Sequence, residues 1–136
     1  MRLFCYGTLQ FPAVLQEVTG GHFNAVTAVL HDYACYVVSR QVYPGIIAQS
    51  GAQTAGLVYA GIGEAHLKKL DRFEGNLYER IRVCVNDNAG NSLQAWTYVI
   101  APQHRRQLTT IPWSRENFEL HHLPQFIRSH HPFWQV

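Results

Sequence analysis

The segment that most constrains the fold is residues 23–59, which is rich in Val, Ile, Tyr and Thr. Turn-forming residues interrupt it at Asp32, at Pro44-Gly45 and at Gly51, so it predicts several strands joined by turns. Residues 80–85 alternate polar and apolar side chains, a loop follows at residues 86–90, and residues 92–100 return as the second arm of a hairpin. Residues 3–6 predict one more short, buried strand.

Only short helices accompany these strands. Pro12 suits the first position of a helix, apolar residues follow it at helical spacing, and Gly20 ends it. A second helix is predicted at residues 64–74, with Gly75 as its C-terminal cap. The tail from Pro102 onward is expected to form a short helix or loop packed back on the body. Many strands without strict alternation of strand and helix predict an α+β domain around a twisted or barrel-like sheet.

Composition narrows the class of protein. A chain of 136 residues with 47% hydrophobic and 15% charged residues predicts a single globular domain, residues 1–136, and excludes disorder. The net charge of +2, without a run of Lys or Arg, predicts no nucleic-acid partner. No apolar stretch approaches the length of about 20 residues that crosses a bilayer, so no membrane association is predicted. Cys5, Cys35 and Cys84 form no Cys-x-x-Cys pair and fit the reduced thiols of a cytoplasmic protein.

Glu74 is the first candidate for chemistry. It lies four residues after Leu70 and seven after Leu67, so it shares their side of the predicted helix. Desolvation on an apolar face and the negative end of the helix dipole both disfavour the carboxylate, which raises the pKa. A carboxyl group tuned upward suits proton transfer near neutral pH. The alternative is an ordinary surface carboxylate at the end of a helix.

The second candidate is the turn at residues 6–9, between the first strand and the first helix. It consists of Tyr6, Gly7, Thr8 and Leu9. Such a junction exposes successive backbone N–H groups beside a helix N-terminus, which favours an anion or a developing oxyanion. A glycine there lets the backbone approach a ligand closely. An ordinary turn is the alternative, because Gly and Thr are common turn residues.

Other side chains are weaker candidates. Tyr78 and Tyr98 are phenols that could line a pocket, although a tyrosine inside a barrel more often belongs to the core. Residues 43–45 predict a tight turn whose backbone borders a pocket. The His pairs at residues 121–122 and 130–131 are adjacent, so their side chains point in different directions and no metal site is predicted. Serine-hydrolase and phosphate-binding glycine motifs are absent from the sequence.

Taken in order, four segments resemble the gamma-glutamylcyclotransferase-like family, which includes the gamma-glutamylamine cyclotransferases and the AIG2-like proteins. They are Tyr6-Gly7-Thr8-Leu9, Tyr43-Pro44-Gly45-Ile46, Gly56-Leu57-Val58-Tyr59, and Leu70-Asp71-Arg72-Phe73-Glu74-Gly75 with Tyr78 and Arg80 following. Tyr98 matches a tyrosine on a later strand of such proteins, so the resemblance runs to about residue 100. The short form of the first loop favours the AIG2-like branch, and Gly45 departs from the alanine that is frequent at that position.

The resemblance implies a small mixed β-barrel flanked by short helices, with a pocket at one end. It also implies that residues 6–9 bind a gamma-glutamyl group through backbone amides, that Tyr78 and Tyr98 line the pocket, and that Glu74 is the acid/base. The expected reaction is an intramolecular aminolysis of a small gamma-glutamyl substrate that releases 5-oxoproline and requires no metal or cofactor. Two alternatives stay open: a non-catalytic module that binds a small carboxylate or a protein, and a hydrolase in which Glu74 activates water.

Overall fold

Strands make up most of the architecture. The computed structural model describes the backbone of residues 1–134 and the side chains of residues 1–128. Within it the strands are β1 (Leu3–Cys5), β2 (Ala25–Val38), β3 (Pro44–Tyr59), β4 (Tyr78–Asp87), β5 (Ser92–Ile100) and β6 (Leu108–Pro112). The α-helices are α1 (Pro12–Thr19), α2 (Glu64–Glu74), α3 (Arg115–His121) and α4 (Leu123–Trp134). Short 3₁₀ turns occupy Thr8–Gln10, Gly75–Leu77 and Pro102–Gln107.

Five of the strands close into a barrel. Neighbours follow the order β3-β1-β5-β4-β2, and β2 pairs again with β3, which closes the ring. The pairing of β1 with β5 is parallel, and the other four pairings of the ring are antiparallel. β6 adds to β2 outside the ring. The predicted class, an α+β fold with a small mixed β-barrel flanked by short helices, is therefore confirmed.

The long strands β2 and β3 do not turn where the sequence predicted. Asp32 and Gly51 both lie inside these strands, with left-handed φ angles of 65° and 82°. The Asp32 carboxylate accepts the Gly51 N–H at 2.9 Å, and the register shifts between His31 and Tyr33. A left-handed residue within a paired strand forms a bulge, which bends the strand without ending it. The bend helps these two strands to wrap around the barrel.

The tight turn predicted at residues 43–45 is also wrong. Pro44 and Gly45 begin β3 and pair with Val37 and Tyr36 of β2. The chain reverses just before them, over residues 39–43. An added Cβ on Gly45 would lie 2.4 Å from the Ile100 side chain. Glycine is required here by close packing, not by a turn.

Two apolar clusters hold the barrel and the helices together. Successive residues of a strand face opposite sides, so in β1 Phe4 lies in the cluster inside the barrel and Leu3 and Cys5 lie in the other. Tyr6, just after β1, continues the alternation and joins Phe4. The second cluster joins the barrel to α1, α2, α3 and α4. Its members include fully buried residues from three helices: Val14, Leu15, Leu70 and Phe118.

The helices match the sequence prediction closely. α1 begins at Pro12 and ends at the left-handed Gly20, and α2 spans the predicted residues and ends at Gly75. The tail packs back on the body, because Phe118 is buried against the Phe11 ring at 5.6 Å between centroids. The strand β6 was not predicted, since its mostly exposed residues show no alternation and it forms only by pairing with β2.

The side chains of the His pair at residues 130–131 lie outside the described residues. None of the helices within residues 1–134 combines the length and the apolarity required to cross a membrane.

Candidate active site

A cavity of about 140 Å³ opens between the barrel and the helices. β1 and the turn after it, the start of β3, the end of α2, the start of β4, β5 and α4 all contribute to its walls. Its lining residues are Phe4, Cys5, Tyr6, Gly7, Thr8, Leu9, Tyr43, Pro44, Phe73, Glu74, Leu77, Tyr78, Tyr98 and Phe126. Every residue that the sequence singled out for catalysis or substrate binding is in this set.

Glu74 is the last residue of α2 and its side chain is half-buried. Leu67 and Leu70 are buried on the same side of the helix, as their spacing predicted. Burial, the larger cause, and the neighbouring Asp71 carboxylate raise the pKa of Glu74 from 4.5 to about 8. Glu74 is therefore mostly protonated at neutral pH yet readily ionised, which suits a group that both accepts and donates protons.

The turn at residues 6–9 is tighter than the sequence predicted. A 3₁₀ turn, Thr8–Gln10, follows β1 after two intervening residues, and α1 begins only afterwards at Pro12. Its first hydrogen bond joins the Gln10 N–H to the Gly7 carbonyl at 3.1 Å. The N–H groups that line the cavity thus belong to the 3₁₀ turn and not to α1 itself.

Three consecutive backbone N–H groups in this turn lack backbone acceptors. Within the described residues, none of the N–H groups of Gly7, Thr8 and Leu9 donates to a carbonyl, as is usual for the first residues of a helical turn. Thr8 and Leu9 are buried, and all three residues line the cavity. Because buried N–H groups are normally paired, these three are suited to a carboxylate or an oxyanion in the cavity.

The carbonyl groups of the turn are occupied by a buried side chain. The Gln10 side-chain amide donates to the Tyr6 carbonyl at 2.7 Å and to the Gly7 carbonyl at 3.3 Å. The Tyr59 hydroxyl donates in turn to the Gln10 carbonyl at 3.0 Å. Gln10 therefore holds the carbonyl side of the turn. No pattern in the sequence had indicated this role.

Gly7 allows the turn to approach the start of β3. A Cβ added at Gly7 would lie 2.8 Å from Pro44 Cγ, closer than any real Cβ contact. A side chain at this position would push apart two walls of the cavity. The sequence prediction that residues 43–45 border a pocket is confirmed for Tyr43 and Pro44, which lie at the end of the chain reversal and the start of β3.

Four tyrosines line the cavity, and the hydroxyls of Tyr6, Tyr78 and Tyr98 donate to other protein groups. The Tyr6 hydroxyl donates to the Tyr98 carbonyl at 2.6 Å, and the Tyr78 hydroxyl donates to the Pro44 carbonyl at 2.5 Å. The Tyr98 hydroxyl donates to Asp71 Oδ1 at 2.7 Å. Burial raises the pKa of Tyr6 and of Tyr78 well above the ordinary value of 10, so both stay neutral. Tyr98 is thus both a buried core residue and part of the cavity wall, and Tyr78 is a half-buried part of that wall that packs against the core.

The remaining wall is mostly apolar and only partly predictable. Phe73 of α2 lies in a segment that carries the family resemblance, whereas Phe126 of α4 carried no functional signal in the sequence. Their rings pack edge to face with 6.5 Å between centroids. Cys5 also lines the cavity, and burial raises the pKa of its thiol well above 9, which keeps it protonated. Among the described side chains, no three His, Cys, Asp or Glu come together in a metal-binding arrangement.

The sequence matches one family model and several known proteins. A family model described as "Gamma-glutamyl cyclotransferase, AIG2-like" matches residues 3–116. Protein AIG2 C of Arabidopsis thaliana is 29% identical over 128 residues, which cover 93% of this chain and 77% of that protein. AIG2-like protein C of the same plant is 32% identical over 127 residues, which cover 92% of this chain and 73% of that protein.

Solved structures share the fold. The solution structure of an Arabidopsis thaliana protein superposes with a TM-score of 0.74 at 25% identity, over 94% of this chain and 86% of that one. A structure named gamma-glutamyl cyclotransferase superposes with a TM-score of 0.66 at 19% identity, over 74% of this chain and 66% of that one. At this identity the second likeness shows the fold alone.

Proposed function

Because this chain belongs to the gamma-glutamyl cyclotransferase, AIG2-like family, we propose that it converts a gamma-glutamyl amine or peptide into 5-oxoproline and a free amine. One observation carries the proposal. The cavity holds a carboxyl group with a pKa of about 8, that of Glu74, together with three backbone N–H groups that lack backbone acceptors within the described residues. A proton-transfer group and an anion-binding turn are the two parts that this reaction needs.

The chemistry is an intramolecular aminolysis. The alpha-amine of the substrate attacks its own gamma-carbonyl carbon, a new carbon–nitrogen bond closes the five-membered ring, and the bond to the leaving amine breaks. The attacking amine loses a proton to the Glu74 carboxylate, and the leaving nitrogen takes that proton back from the Glu74 carboxylic acid. Since the pKa of Glu74 is about 8, both forms are populated near neutral pH.

The turn supplies binding and alignment in this scheme. The N–H groups of Gly7, Thr8 and Leu9 donate to the substrate carboxylate or to the oxyanion that forms at the gamma-carbonyl. Tyr6, Tyr78 and Tyr98 form the surrounding wall, with their hydroxyls held by protein groups. Because the nucleophile belongs to the substrate, holding the glutamyl group in a folded conformation accounts for much of the rate. No step of this scheme requires a metal or a cofactor.

We propose that residues 1–136 form one domain and that the protein acts in the cytoplasm. Its three cysteines are free thiols, which is the state that a reducing compartment maintains.

The test is a product assay on a panel of gamma-glutamyl amines and gamma-glutamyl dipeptides. Mass spectrometry should detect 5-oxoproline with the parent protein, and Glu74→Gln should lower its rate of formation about 100-fold or more. Glu64→Gln removes an exposed carboxyl group from the other end of α2 and should keep the parental rate. Circular dichroism of each variant checks that the fold is retained.

Three results would contradict the proposal in different ways. A parental rate in Glu74→Gln would exclude Glu74 as the acid/base. Free glutamate in place of 5-oxoproline would indicate a hydrolase in which Glu74 activates water. No product from any substrate of the panel, with binding still detected by calorimetry, would indicate a non-catalytic binding module.

A further inference from the structure

Asp71 joins Tyr98 to Arg80 through hydrogen bonds beside the cavity. Its Oδ1 accepts a hydrogen bond from the Tyr98 hydroxyl at 2.7 Å and another from Arg80 Nε at 2.8 Å. Its Oδ2 accepts from Arg80 Nη2 at 3.3 Å, so the guanidinium engages both oxygens. The Arg80 guanidinium carbon lies 4.4 Å from the centre of the Trp96 ring, and this contact helps to hold the Arg80 side chain in place.

Asp71 does not line the cavity, but its partner does. The Asp71 side chain is 43% exposed, whereas Tyr98 is buried at 5% and forms part of the cavity wall. The Tyr98 ring therefore spans from the cavity to the outer surface of α2, and its hydroxyl ends on Asp71. An ion pair as exposed as that of Asp71 and Arg80 contributes little to stability, so stability alone is a weak explanation for the arrangement.

Asp71 also lies close to Glu74. The two residues are three positions apart on α2 and so occupy neighbouring places on one face. The titratable groups that act on Glu74, or on which it acts, are Cys5, Tyr6, Tyr43, Tyr78, Tyr98 and Asp71. Burial raises the pKa of these four tyrosines and of the cysteine, so all five remain neutral. Within this set, Asp71 is the acidic group whose charge raises the pKa of Glu74, and it forms an ion pair with Arg80.

We propose that Asp71 is a positioning residue: held by Arg80, it fixes the Tyr98 ring in the cavity wall and places a negative charge one helical turn from Glu74. Two separate effects follow from this arrangement. The hydrogen bond sets the shape of the wall against which the substrate lies. The charge adds to the effect of burial and raises the pH at which Glu74 becomes a base. The kinetic part of the proposal rests on the cyclotransferase activity proposed above.

The charge effect is tested with Asp71→Asn, which keeps an oxygen acceptor for Tyr98 and removes the charge. A neutral amide no longer disfavours the Glu74 carboxylate, so the pKa of Glu74 falls. The carboxylate is the active base, and the acid limb of the kcat/KM profile should therefore move to lower pH. Carbon-13 NMR titration of the Glu74 carboxyl should show the same displacement without any substrate. Glu64→Gln, ten residues away along α2 and about 15 Å distant, should leave both curves in place.

The hydrogen-bond effect is tested with Asp71→Ala, Tyr98→Phe and the double variant. Each single variant should lower kcat/KM by roughly 10- to 100-fold, the range expected for a lost hydrogen bond to a charged group. If Asp71 acts through Tyr98, the double variant should lose no more than the larger single loss. Near-UV circular dichroism checks that the aromatic packing is retained in each.

Three outcomes would overturn the proposal. One is a Glu74 titration curve in Asp71→Asn identical to that of the parent, accompanied only by a lower Tm, since that describes a merely structural role. Another is a double variant whose fold-loss in kcat/KM equals the product of the two single fold-losses. The third is a displacement of the Glu74 titration as large in Glu64→Gln as in Asp71→Asn. If the parent forms no 5-oxoproline, the NMR titration still decides the charge effect, so failure of the proposed function is distinguishable from failure of this inference.

Discussion

Replacing Glu74 by glutamine is expected to abolish turnover and yet to stabilise the folded protein at alkaline pH. Burial and Asp71 raise the pKa of Glu74 from 4.5 in the unfolded chain to about 8 in the folded protein. The folded state thus binds a proton that the unfolded state has lost between these two values. The contribution of Glu74 is most favourable below pH 4.5 and is lost as the pH rises through 8, where the folded protein must carry a desolvated carboxylate.

The magnitude follows from the same pKa values. Each pH unit between 4.5 and 8 changes the free energy of unfolding by about 1.4 kcal/mol, so the full effect approaches roughly 5 kcal/mol. Glu74 is half-buried, and water that reaches the carboxylate reduces this figure to about 2–4 kcal/mol. Glutamine is neutral at every pH and of nearly the same size, so the variant escapes this loss.

The assay is urea unfolding of parent and Glu74→Gln between pH 5 and pH 9, followed by tryptophan fluorescence. The difference in free energy of unfolding between the two proteins should grow in favour of the variant as the pH rises, and should level off above pH 8. Glu64→Gln is the matched control, and its difference from the parent should not change over this range. A difference between Glu74→Gln and parent that stays constant from pH 5 to pH 9 would refute the reasoning.

Three further substitutions test the packing that shapes the site. Gly7→Ala places a Cβ 2.8 Å from Pro44 Cγ, and it should lower the free energy of unfolding by about 1–3 kcal/mol and raise KM in the product assay. Gly45→Ala places a Cβ 2.4 Å from the Ile100 side chain and should lower the free energy of unfolding in urea by about 1–3 kcal/mol. The double variant with Ile100→Ala should lose less stability than the sum of the two single losses. Phe118→Ala should lower the free energy of unfolding by about 3–5 kcal/mol, and an unchanged urea midpoint would contradict the docking of the tail.

Local patterns were enough to predict the elements that carry the chemistry. The period of residues 64–74, with Gly75 after them, predicted α2 and the side on which Glu74 lies, because helix period and capping depend on residues close in sequence. Alternation predicted β4, and the loop at residues 86–90 predicted β5 as the second arm of the hairpin, for the same reason. Asp32 and Gly51 show the limit of this approach. A left-handed residue serves a turn and a bulge equally well, and only the pairing of β2 with β3 decided between them.

The tail shows a second limit. Leu108–Pro112 forms a strand only because the free edge of β2 is next to it, and its own residues carry no strand pattern. Phe126 of α4 reaches the cavity because its ring packs on Phe118 and on Phe73. Phe73 lies more than 50 residues earlier in the sequence. Neither outcome depends on local sequence, so no local signal could have indicated it.

The sequence by itself determined which residues could bind an anion or move a proton, through the turn at residues 6–9 and through the position of Glu74 on α2. The tertiary structure decided that these groups share one cavity, because closing the barrel brings Tyr6 within 2.6 Å of a residue 92 positions later. It also decided the acidity of Glu74, since desolvation and the nearby Asp71 charge are properties of the folded surroundings. The sequence specifies the type of each residue, whereas the electrostatic environment of a side chain forms only when distant segments pack around it.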